Sequence, residues 1–295
     1  MGYDIQTGGS NRGIRAEVVD AMVKQIAERT YKFKQALAIV PTSAWKNTFF
    51  REDPTVMAGQ SGNAFKGIPR GAEFPQAVQK WEEVSVRIIK HGAESNIPWE
   101  DIIAGDINIQ ARTIIKLTEG VVKSVDDDIW NSLTQNNLSD TNLRVQSYAV
   151  AASRYWSVAS AAIIDDVMAA KTLIGKQNYD TSDLICFINP DDSRYIVKYL
   201  IDKGTQFPSI AQESVRNGKI GSIANVTFIE SMSVATSYAL LVKPKTCATW
   251  KELVSLRSTT VEDPYKSLKI RVVEEGVVEV TDPLAICVIK GTATP

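Results

Sequence analysis

Histidine is almost missing from this 295-residue chain; His91 is the only one. That excludes every multi-histidine metal site and leaves room for at most one Ser-His-Asp arrangement. Cysteine is nearly as scarce. Cys186, Cys247 and Cys287 lie far apart and form no CxxC pair, so they offer neither a zinc knuckle nor a redox motif. They are expected to be free thiols, buried or half-buried, of a protein made in a reducing cytosol. No apolar run reaches the length that spans a bilayer, and no charged-then-apolar signal opens the chain. Met1-Gly2 resembles a myristoylation start, but Gln6 stands where that signal needs Ser or Thr.

Nucleotide loops are missing too. Gly175-Lys176 is followed by Gln177, with no glycine at phosphate-loop spacing, and Gly8 to Gly13 follows no expected strand. Ser61, in Gly59-Gln60-Ser61-Gly62, falls short of a GxSxG nucleophile turn. A large net charge is also lacking, since 33 Lys and Arg against 34 Asp and Glu leave −1. A protein whose main task is gripping naked nucleic acid carries a strongly basic face instead. The residues therefore name no catalytic, cofactor or metal site.

What is present is a 44% hydrophobic fraction, enough for one large domain or two to three small ones. Residues 1–13 are polar and glycine-rich and read as a terminal arm. Val18, Val19, Met22, Ile26, Phe33, Leu37 and Val40 recur at helical spacing from Ile14 to Val40, with a break near Thr30 and a stop at Pro41. Residues 42–98 differ. β-formers (Trp45, Thr48, Phe49 and Phe50, then Trp81, Val84, Val86 and Ile88) flank a middle rich in glycine and proline. That is the pattern of a long hairpin with a loose tip. A two-stranded hairpin is marginal alone in water, so its aromatics need a cover.

From Ala104 to Leu133 a three-four apolar spacing (Ile107, Ala111, Ile114, Thr118, Val121, Val125, Ile129 and Leu133) predicts one long helix. It would run about 40 Å and act as a spine. Asp106 is placed at its start and Asn136-Asn137 at its end. Residues 146–249 alternate in type, with a helix over 158–174, a buried strand over 184–188, a helix opened by Pro190, and strands near 226–229 and 238–242. Gly204 to Gly221 reads as a surface loop. From Trp250 onward strands dominate. Leu268–Val273 and Val277–Thr281 are expected to form a hairpin turning at Glu274-Glu275-Gly276, and Ala285–Lys290 to form a last strand.

Acidic runs occur at Asp126-Asp127-Asp128, Asp165-Asp166 and Asp191-Asp192. Two carboxylates can run glycoside hydrolysis, so a two-acid glycoside hydrolase is one alternative. The plainer reading is solvated helix faces and helix first turns. Tryptophans near the hairpin are of a kind that lines carbohydrate grooves, but such residues more often cover a core or a subunit contact. His91 reads as structural or solvent-exposed.

The order of elements, more than any motif, resembles the Hong Kong 97-like major capsid proteins of tailed phages. Four stretches carry the resemblance. Gly67-Ile68-Pro69-Arg70-Gly71-Ala72-Glu73-Phe74-Pro75, leading into Trp81 to Val86, is similar to that family's E-loop. Ile97-Pro98-Trp99-Glu100-Asp101 before the spine, Phe187-Ile188-Asn189-Pro190 with 218–223 and Ser231, and Leu268–Val272 with Pro283-Leu284-Ala285 complete it. The resemblance implies an α+β capsid fold. Its division would be an N-terminal arm and helix (1–43), an E-loop (44–98), a P-domain in two pieces (99–145 and 250–295) and an A-domain (146–249). It implies a non-enzymatic shell subunit that needs no cofactor and joins pentamers and hexamers into an icosahedral virion capsid around double-stranded DNA. Partners would be further copies, scaffolding and portal proteins and decoration proteins, with weak DNA contact and no membrane. Synthesis would be in host cytoplasm. Expected inter-subunit contacts are Phe49, Phe50, Phe65, Lys66, Arg70, Phe74, Trp81, Gln206 and Phe207. An encapsulin-like compartment of the same fold is the second reading.

Overall fold

The computed structural model describes residues 16–52, 68–73, 81–100, 107–134, 145–203, 220–263 and 266–293. Four helices are described: α1 (Ala16–Thr30), α2 (Ile107–Leu133), α3 (Ile163–Lys176) and α4 (Pro190–Asp202). The first strands are β1 (Ala38–Pro41), β2 (Lys46–Glu52), β3 (Trp81–Arg87), β4 (Ile89–Pro98), β5 (Gln146–Ala149) and β6 (Leu184–Ile188). The later ones are β7 (Ser222–Ile223), β8 (Val226–Glu230), β9 (Tyr238–Val242), β10 (Thr249–Asp263), β11 (Ser267–Glu279) and β12 (Ile286–Lys290). They form sheets of order β1-β10-β11-β4, β5-β12-β9-β6-β8-β7 and β2-β3. The chain divides into two compact units.

One unit comprises Met1–Tyr31, Ile89–Asp126 and Glu252–Gly276. Its core joins Val19, Val23 and Ala27 of α1, Ile114, Val121 and Val122 of α2, and Ile97, Leu256, Ile270 and Val272 of the strands. The α1 residues are four apart, and Val121 and Val122 lie about two turns beyond Ile114 on α2, spacings that fall on one face and so reach the sheet together. β11 runs antiparallel to β4, from Ser267 opposite Pro98 to Gly276 opposite Ile89. Gly92 lies within this ladder because a Cβ there would sit 3.1 Å from the Val272 carbonyl oxygen.

Two expectations are corrected here. Residues 89–98 do not continue the hairpin; they pair with β11 in the four-stranded sheet. Nor does the chain turn at Glu274-Glu275-Gly276, because β11 passes straight through them. Three polar or flexible residues look like a turn, but Glu274 is fully buried and accepts a hydrogen bond from the Tyr31 hydroxyl. Glu275 faces Lys90 at 3.4 Å. The turn instead precedes β11, where the Lys266 N–H donates to the Asp263 carbonyl.

The other unit comprises Lys32–Ile88, Asp127–Lys251 and Val277–Pro295 and holds the six-stranded sheet. β6 pairs parallel with β8 and antiparallel with β9, and β12 runs between β9 and β5. Leu184, Cys186 and Ile188 share a core with Val167, Ala170 and Ile174 of α3 and Ile196 and Leu200 of α4. Phe187 points to the other face and stacks on Phe33 at 4.3 Å, with Trp130 on Phe33 at 6.1 Å. An apolar run without alternation is what a strand buried on both faces requires. The Asn189 side chain caps α4 by accepting from the Asp191 N–H at 3.0 Å, and Pro190 follows where no N–H is needed.

Other boundaries move. The first helix ends at Thr30 as its break implied, but a 3-10 turn (Phe33–Ala36) and β1 replace its second half. The helix expected from 158 begins at Ile163, since 156–160 are turns. β12 lies in the six-stranded sheet, so the last strand does not fold with β10 and β11 as the expected division had it. The spine helix begins by Ile107 and ends at Leu133; Asp106, Asn136 and Asn137 lie outside the described residues.

Candidate subunit interface

Among the described residues β2 and β3 form a two-stranded sheet, paired from Lys46 opposite Arg87 to Glu52 opposite Trp81. Opposed residues share a face. One face holds Asn47 with Val86, Phe49 with Val84 and Arg51 with Glu82, all buried or half-buried. Arg51, with a side chain only 3% exposed, meets Glu82 at 3.2 Å. The other face is open. Thr48 and Ser85 are in hydrogen-bond contact across it at 3.2 Å, and Phe50 and Trp81 lie diagonally on it, 63% and 57% exposed. Aromatic side chains among charged and hydroxyl neighbours have the make-up of an interface core with its polar rim. Covering one such ring is worth on the order of 2 kcal/mol.

The expected contact residues thus divide. Phe50 and Trp81 come together on the open face, and Phe49 turns to the half-buried one. Arg70 is exposed on a tight turn, where the Ala72 N–H donates to the Pro69 carbonyl and Gly71 takes a φ of +81°. Glycine at the third place of such a turn is what a type II geometry needs. Phe65, Lys66, Phe74, Gln206 and Phe207 lie outside the described residues. Trp45, 61% exposed just ahead of β2, was missed as a contact candidate, although its place in an aromatic cluster at the hairpin base was a signal. Its carbonyl accepts from the Ile88 N–H at 3.0 Å.

The acidic runs are less solvated than expected. Asp126, Asp166 and Asp192 are buried. Helical periodicity places one residue of each run inward, and each inward acid has partners. Asp166 accepts from the Tyr148 hydroxyl at 3.0 Å and from the Trp156 indole at 3.1 Å. Burial is the main cause that raises its carboxyl above the usual range, and these two hydrogen bonds oppose it. His91 is buried and structural, with Nδ1 3.0 Å from the Ser124 hydroxyl. All three cysteines are free and buried.

Residues 81–289, well over half of the chain, match the family described as phage capsid protein. The chain belongs to that family. The capsid of cyanophage P-SCSP1u is similar to it in structure, at 13% identity and a TM-score of 0.66, covering 88% of each chain. A phage-related protein from Bordetella bronchiseptica is similar at 13% identity and a TM-score of 0.62, covering 95% of this chain and 98% of its own. The virus-like particle from Pyrococcus furiosus is similar at 10% identity and a TM-score of 0.59, covering 93% and 98%. No curated protein matches in sequence. The capsid protein has the Hong Kong 97-like α+β fold that its element order resembled, and it is a major capsid subunit whose copies form an icosahedral virion shell.

Proposed function

We propose that copies of this capsid protein join as pentamers and hexamers, closing around double-stranded DNA, with the β2–β3 hairpin laid over the adjacent copy. The observation that carries this is the open aromatic face of a sheet that is two strands wide among the described residues. Such a hairpin gains stability only when something lies on it. In a ring, head-to-tail contacts close by rotation, and each copy both gives and receives a hairpin. Phe50, Trp81 and Arg70 are its contact residues, Phe49 supports them from behind, and Phe65, Lys66, Phe74, Gln206 and Phe207 are further contact residues of the same proposal.

The E-loop then spans 44–87. The P-domain takes α2 with the segments 89–126 and 252–276, and the A-domain takes the six-stranded sheet with β12. The grouping of 89–126 with 252–276 in one compact unit, and of the six-stranded sheet in the other, supports the P-domain and A-domain parts of this assignment. Scaffolding, portal and decoration proteins are the remaining partners, with synthesis in host cytoplasm and a purely structural, non-enzymatic role. A DNA-free compartment is the second reading, favoured by the likeness to a virus-like particle. Negative-stain microscopy of particles purified from infected or induced cells, with nuclease-protected DNA measured alongside, tests the proposal. Closed shells holding protected double-stranded DNA are expected; empty shells would support the second reading, and a monomer under all salt and concentration conditions would overturn both.

A further inference from the structure

The first turn of α4 carries Asp191 and Asp192, and only Asp191 reaches solvent. Asp192 is 1% exposed. Its Oδ2 accepts from the Thr292 hydroxyl at 2.9 Å, and its Oδ1 has no hydrogen-bond partner. Thr292 is fully buried and held from three sides. Its hydroxyl is on Asp192, its N–H donates to the Ser237 carbonyl at 3.1 Å, and its carbonyl accepts from the Trp156 N–H at 2.7 Å. Gly291 donates to the same Ser237 carbonyl at 2.8 Å. It has a φ of +76°, and a Cβ there would meet the Tyr155 ring at 3.4 Å. The segment leaving β12 is therefore clasped, and Asp192 is the buried half of the clasp.

Beyond the partial positive charge of the α4 N-terminus, the side chains facing Asp192 supply no positive charge. Asp191 precedes it, the Cys186 thiol of β6 lies near, and the neighbouring Ser193 hydroxyl bonds Glu230 of β8. Among the described residues no lysine, arginine or histidine pairs with Asp192. A buried carboxylate with no counter-charge and one bare oxygen is costly, and the neutral acid is much cheaper to bury.

We propose that Asp192 is a proton-operated latch on the segment after β12: the neutral acid stays buried against Thr292, and the ionised acid, despite that hydrogen bond, favours an opened segment in which its charge reaches water. Burial, its main cause, pushes the acid up from the ordinary 3.8 to about 6; the Thr292 hydrogen bond pulls it down, and Asp191 pushes it up. In the unfolded chain the acid ionises at its ordinary value, so folding between about pH 4 and 6 takes up a proton. The stability from this group is fully present below about pH 4 and is lost as pH rises through about 6. Between pH 5 and 8 it lowers the folding equilibrium constant roughly tenfold, given a folded value of about 6.

The test uses the full chain as wild type, Asp192→Asn and Thr292→Val. Denaturant unfolding is followed from pH 5 to 8, together with amide exchange at Trp156, Gly291 and Thr292 corrected for the intrinsic pH dependence. In the wild type the roughly tenfold drop is expected, with faster corrected exchange at those three amides above pH 6. Asp192→Asn loses the drop. Thr292→Val removes the bond that holds the acid down, so its step moves to higher pH. A pH step in Asp192→Asn as large as that of the wild type overturns the proposal. So does a Thr292→Val step that stays put or moves lower, and this second variant decides the matter if the first does not fold.

Discussion

Tyr31, the residue after α1, donates a hydrogen bond from its hydroxyl to the carboxylate of Glu274, 243 positions later in the middle of β11. Burial first, and the Glu274 charge second, push the tyrosine far above its ordinary range, so it remains a donor at any working pH. Tyr31→Phe removes that donor from a fully buried acid. The expected cost is about 1.5–3 kcal/mol, the usual worth of a hydrogen bond to a charged group. Denaturant unfolding of the full-length subunit measures it; a change within 0.5 kcal/mol, on the order of a neutral surface substitution, would contradict the account.

Phe33 is the keystone on the second face of the six-stranded sheet, between Phe187 and Trp130. Phe33→Ala leaves a cavity against two rings and is expected to cost roughly 3–5 kcal/mol. Unfolding midpoints check it, with Phe33→Leu expected to recover much of the loss.

The three thiols give a prediction without a mutation. Burial pushes Cys247 and Cys287 up to about 12 and raises Cys186 further still. At pH 8 a group at about 12 is thiolate in roughly one molecule in ten thousand, and only the thiolate attacks a disulfide reagent. Native protein is therefore expected to react with Ellman's reagent at none of its three cysteines over minutes, and at all three after denaturation. Rapid reaction of a native thiol would show that one of these cores opens readily.

Much of the layout was legible in the sequence, and what was hidden has one physical cause. Leu184–Ile188 and Tyr238–Val242 read as strands because apolar runs of that length between turn signals leave few alternatives. Pro190 marked its helix because proline is tolerated only in a first turn. The spine's spacing held through Leu133. Glu274-Glu275-Gly276 misled because burial of an acid is decided by Tyr31 and Lys90, partners that no local window contains. The same holds for Asp166, whose neighbours Tyr148 and Trp156 come from the segment before α3. The open face of the hairpin was half visible. Its alternation could be read, but which of Phe49 and Phe50 pointed outward depended on the register with β3.

The claim on which the rest depends is that the open hairpin face is closed by a neighbouring copy. Sedimentation velocity of Phe50→Ser/Trp81→Ser beside the wild type tests it most directly, with circular dichroism confirming that both fold. The expected result is a shell-sized boundary for the wild type and only small species for the double variant, with the same spectrum. Shells formed by the double variant at wild-type yield and stability would contradict it.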